Sequence, residues 1–245
     1  MDADDYDRDS QYPTWDDTDN DCLSNRHEVL IAQHIDDDVS NPLVYRDDGC
    51  LILTGKWYDA YDDTYYYSAS DVQIDHVVAL FEAHNSGAYA FTSTEKRYFA
   101  NTGNKAEGTL PETSHQFLAT GAATNGPKGS SDPTEWMPPL EEYHCTYLKK
   151  WVEVKHLNSL YFDQAEYDFI KAEEANCDDS TLPILPPNDD SSGPQPGDKA
   201  PTNSAISALF SGLQRALRKS VALNGVPFGR SVGTTADCSG GINFS

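Results

Sequence analysis

Basic residues are scarce in this chain: 17 Lys and Arg stand against 40 Asp and Glu, a formal net charge of −23 in 245 residues. A field of that sign repels polyanions, which excludes nucleic-acid binding across a broad basic face. A polyanionic substrate therefore requires divalent cations that cancel charge or a small basic cleft; otherwise the acid is simply a solvated surface, suited to high salt. No run approaches 18 consecutive apolar residues, which excludes a transmembrane helix, and no apolar leader follows Met1. The five cysteines, Cys22, Cys50, Cys145, Cys177 and Cys238, include no C-x-x-C pair, which argues against a zinc site. They suit free thiols or two disulfides with one cysteine over. There is no internal repeat.

What the chain does have is aromatic mass. Four Trp, 14 Tyr and nine Phe supply a core although only 38% of residues are hydrophobic. Residues 1–177 read as one domain. Residues 178–202 are rich in Pro, Ser, Asp and Gly with little to bury, the composition of a disordered acidic linker. In the tail, 203–245, Ile206, Leu209, Phe210, Leu213, Leu217 and Val221 recur at helical spacing, with Asn203 or Ser204 as cap and Gly225 as stop. That predicts an amphipathic helix over 203–224, which either docks on the domain, engages a partner or membrane surface, or has no stable structure alone.

Within the domain the patterns predict helices at 25–35, 78–85, 93–100, 122–128, 143–157 and 163–174. Strands are expected at 50–57 and 116–120, a short extended run at 64–67, and a strand entering Asp75-His76. The class is α+β, a small and mostly helical domain with short strands.

The strongest chemical signal is Val72-Gln73-Ile74-Asp75-His76-Val77-Val78. A strand ending in Asp-His delivers a hard oxygen ligand and an imidazole base to one place if it twists there. An isolated pair of this kind equally suits a structural histidine bonded to a nearby loop. The second half of the constellation is Thr124-Asn125-Gly126-Pro127-Lys128-Gly129, followed by Asp132-Pro133-Thr134-Glu135-Trp136.

Together these halves resemble the secreted HNH endonuclease family (the DUF1524 type, which includes bacterial extracellular DNases), with its I-D-H-(I/V)-V-P-L and A-N-R-S-K-G-D-x-D-P-x-x-W patterns. Tyr6-Asp7-Arg8-Asp9 is similar to the family's Y-x-R-D. The run Asp21-Cys22 through Arg26 and Glu28 is similar to D-C-L-D-T-R-Q-E-V-L. Gly55-Lys56-Trp57-Tyr58-Asp59 matches G-x-W-Y-D, and Cys145 through Trp151-Val152 matches C-x-Y-x-x-x-W-V. The resemblance runs in order from about residue 5 to 177.

It implies a ββα-metal core in which His76 is the general base and Asp75 and Asn125 hold one divalent ion, Mg2+ or Mn2+. The middle asparagine, expected at Asn104 with Asn101 as the alternative, would hold the loop that orients the histidine. Arg8 and Lys128 would contact phosphate or else serve as ion-pair partners, and Glu82 is either a supporting carboxylate or a plain helix charge. The chain departs from the pattern at Gln73 (Asp in the family), Ala79 (Pro) and Gly126-Pro127 (Arg-Ser), and carries an apparent insertion at 105–115 that ends in His115. The resemblance also implies that Cys22 pairs with Cys50 and Cys145 with Cys177.

A second metal site is expected at Asp17, Asp19, Asp21, Leu23 and Glu28, which occupy positions 1, 3, 5, 7 and 12 of a calcium loop, although Cys22 stands where such loops place Gly. The expectation is a secreted monomer, its signal peptide absent from this sequence, acting as a metal-dependent endonuclease on DNA, with RNA left open as a second substrate. The alternative is a catalytically degenerate calcium-binding interaction protein.

Overall fold

The computed structural model describes residues 5–36, 39–106, 108, 111 and 114–177. The expectations for 178–202 and for the tail helix at 203–224 lie outside those residues. Among the described residues the domain is α+β, and no helix is long and apolar enough to cross a membrane.

Two small antiparallel sheets organise it. The first has the order β1 (Val44–Tyr45), β2 (Ile52–Asp59), β3 (Thr64–Ser68). Along β2, buried Gly55, Trp57 and Asp59 alternate with half-buried Lys56 and Tyr58, the pattern of a half-covered sheet, while Leu53 and Thr54 are both exposed where the pairing with β3 shifts register. Trp57 is fully buried and donates its indole N–H to the Leu30 carbonyl of α2 (Asn25–Ala32) at 2.7 Å. The second sheet pairs β4 (Val72–His76) with β5 (Phe117–Gly121), from Val72 opposite Gly121 to His76 opposite Phe117.

Beyond His76 the pairing continues through Gln116, by its backbone and then by its side chain. Val77 donates to the Gln116 carbonyl, and the Gln116 amide brackets Val78, accepting from its N–H and donating to its carbonyl. Those bonds claim the backbone of residues 77 and 78, which bend away from β4 instead of opening a helix, so α3 (Leu80–Asn85) starts two residues later than the periodicity predicts. The helix expected at 25–35 ends at Ala32, because the Ile35 N–H turns to the Lys56 carbonyl on β2. The chain then runs through α4 (Ser93–Thr102), opened by a Thr92–Glu95 capping box and stopped by Gly103 at φ 72°. It returns through β5 and passes directly into α5 (Ala122–Lys128). A Cβ at Gly121 would stand 1.8 Å from the Tyr66 hydroxyl, so this junction requires glycine.

α6 (His144–Asn158) and α7 (Gln164–Glu173) complete the domain. Trp151, Tyr147 and Leu148 of α6 are fully buried in the larger core together with Val77, Val78 and Phe99. A second core lies beneath β2 and α2, where Trp57, Leu30, Ile74 and Phe117 meet. A buried clasp joins the helices: the Lys155 ammonium bonds Glu82 of α3 at 2.7 Å and Glu166 of α7 at 2.6 Å. Glu82 thus belongs to this clasp. Both implied disulfides are present, Cys22–Cys50 and Cys145–Cys177; Cys238 lies outside the described residues.

Candidate active site

β4, β5 and α5 form a continuous β–β–α unit, with residues 77–116 inserted between its strands. Alternation along β4 sends Gln73 and Asp75 to the α5 side and Ile74 and His76 to the opposite face.

His76 is held on three sides. Nε2 lies 2.8 Å from the Ala100 carbonyl near the end of α4. A carbonyl only accepts, so Nε2 carries the proton and the neutral ring keeps its lone pair on Nδ1. Trp15 stacks on the ring with centroids 5.4 Å apart and planes 20° apart, and Phe117 meets it edge-on at 5.2 Å. Burial drives the imidazole pKa down to about 3, and the charges of Arg8 and Lys128 push the same way against the Ala100 carbonyl. Nδ1 takes part in no hydrogen bond among the described residues. His76 is therefore an uncharged proton acceptor at neutral pH.

Asp75 is committed elsewhere. Its Oδ1 accepts from the Lys128 ammonium at 3.0 Å and its Oδ2 from the Tyr61 hydroxyl at 2.7 Å, with Asp75 4% and Lys128 0% exposed. Burial raises the carboxyl pKa, and Lys128 and the Tyr61 bond counter it. Lys128 also donates to the His76 carbonyl at 2.9 Å. This corrects one expectation: Lys128 is an internal ion-pair partner and, fully buried, has no face to offer a phosphate. Arg8 is exposed, bonded to the Tyr12 carbonyl, and close enough for its charge to act on His76.

Asn125 lies on the accessible side of α5 and donates its amide to Gln73 Oε1 at 2.8 Å. Gln73, where the pattern that the chain resembles carries Asp, is thus the neighbour of Asn125, while Asp75 faces Lys128 and Tyr61. Asn104, the expected middle asparagine, lies beyond the end of α4 and makes no hydrogen bond with His76 among the described residues; its side chain accepts from Ala106 N and its carbonyl from the Thr102 hydroxyl. Asn101 follows the carbonyl that holds His76, is 2% exposed, accepts from Asp16 N at 2.7 Å through Oδ1, and through its carbonyl from Asn25 at 2.9 Å. The residue tethering the loop beside the histidine is therefore Asn101. His115 pairs with Glu153 of α6 and makes no contact with His76 among the described residues.

The acidic turn is assembled. Carboxylate oxygens of Asp17, Asp19 and Asp21 lie within 4.8 Å of one another. The turn is closed by Cys22 N on Asp17 Oδ2 at 3.0 Å and Leu23 N on Asp21 Oδ1 at 2.8 Å. Cys22, at the glycine position, adopts φ 78°, which supplies the turn that Gly would give. Glu28, on the first turn of α2, is not part of the converging set.

No family model matches the chain, and no solved structure matches it. An uncharacterized secreted protein of Arthroderma benhamiae is 34% identical over 163 residues, which span 66% of this chain and 71% of that protein. The chain belongs to the family of that secreted protein.

Three residues of the site escaped the sequence reading. Tyr61 caps Asp75. Trp15 stacks on His76. Asp59, fully buried, accepts from Gly121 N at 2.8 Å and the Thr124 hydroxyl at 2.6 Å, and so fixes the start of α5. Asp59 stood in view within the G-x-W-Y-D match; Trp15 and Tyr61 carried no local signal.

Proposed function

We propose that the protein is a secreted endonuclease that hydrolyses phosphodiester bonds of DNA, and of RNA, with low sequence preference, and that His76 is its general base. The observation that carries this is the His76 ring at the end of a β–β–α unit, with Nε2–H spent on the Ala100 carbonyl and the Nδ1 lone pair uncommitted. Water attacking phosphorus gives its proton to Nδ1; the P–O3′ bond breaks and the departing oxygen takes a proton from solvent, leaving 5′-phosphate and 3′-hydroxyl ends. An approaching phosphate anion raises the proton affinity of the depressed imidazole as the transfer needs it. Arg8, exposed and electrostatically coupled to His76, is the cation best placed to meet the developing charge.

The Mg2+ or Mn2+ implied by the resemblance does not fit the side chains as they stand. The carboxylate meant to hold it is saturated by an ammonium and a hydroxyl, and Asn125 faces the uncharged Gln73 amide. No step is assigned to that ion. Calcium fits the acidic turn, where Asp17, Asp19 and Asp21 would hold it as a structural ion. Export is supported by the secreted relative and by two disulfides, which persist in oxidising compartments.

The committed Asp75 and the Gln73–Asn125 pair favour a second reading, a degenerate nuclease fold kept as a calcium-stabilised interaction protein. A plasmid-nicking assay with Mg2+, with Mn2+ and with EDTA, run beside His76→Ala, tests both. Nicking lost with His76→Ala supports the first reading, and nicking that persists at the wild-type rate contradicts it. Absence of nicking by the folded wild-type protein under every condition supports the second. Abolition by EDTA would mean that Lys128 yields Asp75 to an ion.

A further inference from the structure

We propose that Trp15 is a positioning residue for this chemistry, its indole serving as the wall that fixes the His76 ring with Nδ1 toward the substrate; the inference rests on His76 being the general base. An imidazole at a strand end turns about two torsions, the outer of them broad. A single hydrogen bond from Nε2 anchors one atom and leaves the ring free to swing about that point. Two aromatic surfaces remove the swing: Trp15 covers one face with planes 20° apart, and Phe117 stands edge-on at 82°. Trp15 also meets the Phe117 edge at 5.4 Å, so the two walls brace each other.

The wall is itself tethered to the element that supplies the hydrogen bond. Asp16 N donates to Asn101 Oδ1 at 2.7 Å, the Asp16 carbonyl accepts from Asn25 N at 2.7 Å, and the Asp16 carboxylate pairs with Arg97 of α4. Ala100 and Asn101 are consecutive on α4, so one turn of helix holds both the carbonyl on Nε2 and the strap that carries Trp15. A tryptophan serving only as packing could be replaced by any apolar side chain of adequate size. A stacking wall requires a flat ring.

The test compares Trp15→Phe, which keeps a ring, with Trp15→Leu, which keeps apolar volume without one, in the full chain. Nitrogen-15 spectra of the His76 ring report its tautomer without reference to nuclease activity. We expect wild type and Trp15→Phe to show one neutral form protonated at Nε2, and Trp15→Leu to show averaging between the two nitrogens. On plasmid DNA, Trp15→Leu should turn over about 10- to 100-fold more slowly with KM within about twofold, because a displaced reacting group costs turnover more than binding. Trp15→Phe should stay within about threefold of wild type. A folded Trp15→Leu protein with the wild-type tautomer spectrum overturns the proposal. Should Trp15→Leu not fold, Trp15→Met, also apolar and without a ring, takes its place: averaging of the His76 ring in folded Trp15→Met supports the proposal, and the wild-type tautomer spectrum there overturns it. If wild type fails to cut DNA, the nuclease reading falls while the spectra still decide whether Trp15 fixes the ring.

Discussion

The Lys128 ammonium sits 3.0 Å from Asp75 Oδ1, with both side chains shut away from solvent. Removing one partner of such a pair strands the other charge in the interior, which typically costs about 3–5 kcal/mol. Lys128→Met should therefore lower the stability measured by urea denaturation by about that much. A lysine serving a surface phosphate contact would change it by no more than about 0.5 kcal/mol.

The same pair shows where sequence reasoning ran out. The Asp75-His76 dipeptide, its strand, the return strand and the helix bearing Asn125 were all legible, because alternation, glycine punctuation and ordered family blocks are local signals. The partners of Asp75 were not. Lys128 and Tyr61 lie 53 and 14 residues away along the chain, and no periodicity says which buried carboxylate meets which cation. The misplaced middle asparagine has a similar origin: Asn101 and Asn104 lie close together in sequence, yet α4 stops at Gly103, which puts Asn101 on the last turn beside His76 and Asn104 in the loop beyond. α3 starts later than its periodicity predicts because Gln116, on the far side of the insertion, claims the backbone of residues 77 and 78.

Stability should depend on pH through His76. Its folded pKa, about 3, is below the unfolded value of 6.5, so the unfolded chain takes up this proton first. The contribution is present above pH 6.5 and is lost as pH falls toward 3. Glu166, raised by burial from its ordinary 4.5 to about 7, acts oppositely and loses its contribution as pH rises between those values. The His76 part is isolated by comparing wild type with His76→Asn. The variant should gain on wild type by about 1.4 kcal/mol per pH unit below 6.5 in urea titrations. A difference that does not vary with pH would contradict a half-buried His76 that stays neutral.

Calcium should stabilise the domain through the acidic turn. At about 100 times the dissociation constant, a ligand specific to the folded state adds about 2.7 kcal/mol, or roughly 5 °C or more in Tm for a domain of this size. Asp19→Ala should abolish the calcium-dependent rise in thermal melts. An equal rise in that variant would place the ion elsewhere.

Cys145–Cys177 closes a loop with a sequence separation of 32. Chain-entropy arithmetic assigns such a cross-link about 3–4 kcal/mol. The double variant Cys145→Ala, Cys177→Ala should unfold at correspondingly lower urea with the other disulfide intact. A loss below about 1 kcal/mol would show that the lysine clasp among α3, α6 and α7 holds these helices without the cross-link.

Replacement of a general base costs about 100- to 10,000-fold in rate. The initial rate at which supercoiled plasmid is converted to open circle, wild type against folded His76→Ala, reads that factor directly. We predict a loss within this range; equal rates for the two proteins would contradict the assignment of phosphodiester hydrolysis to His76.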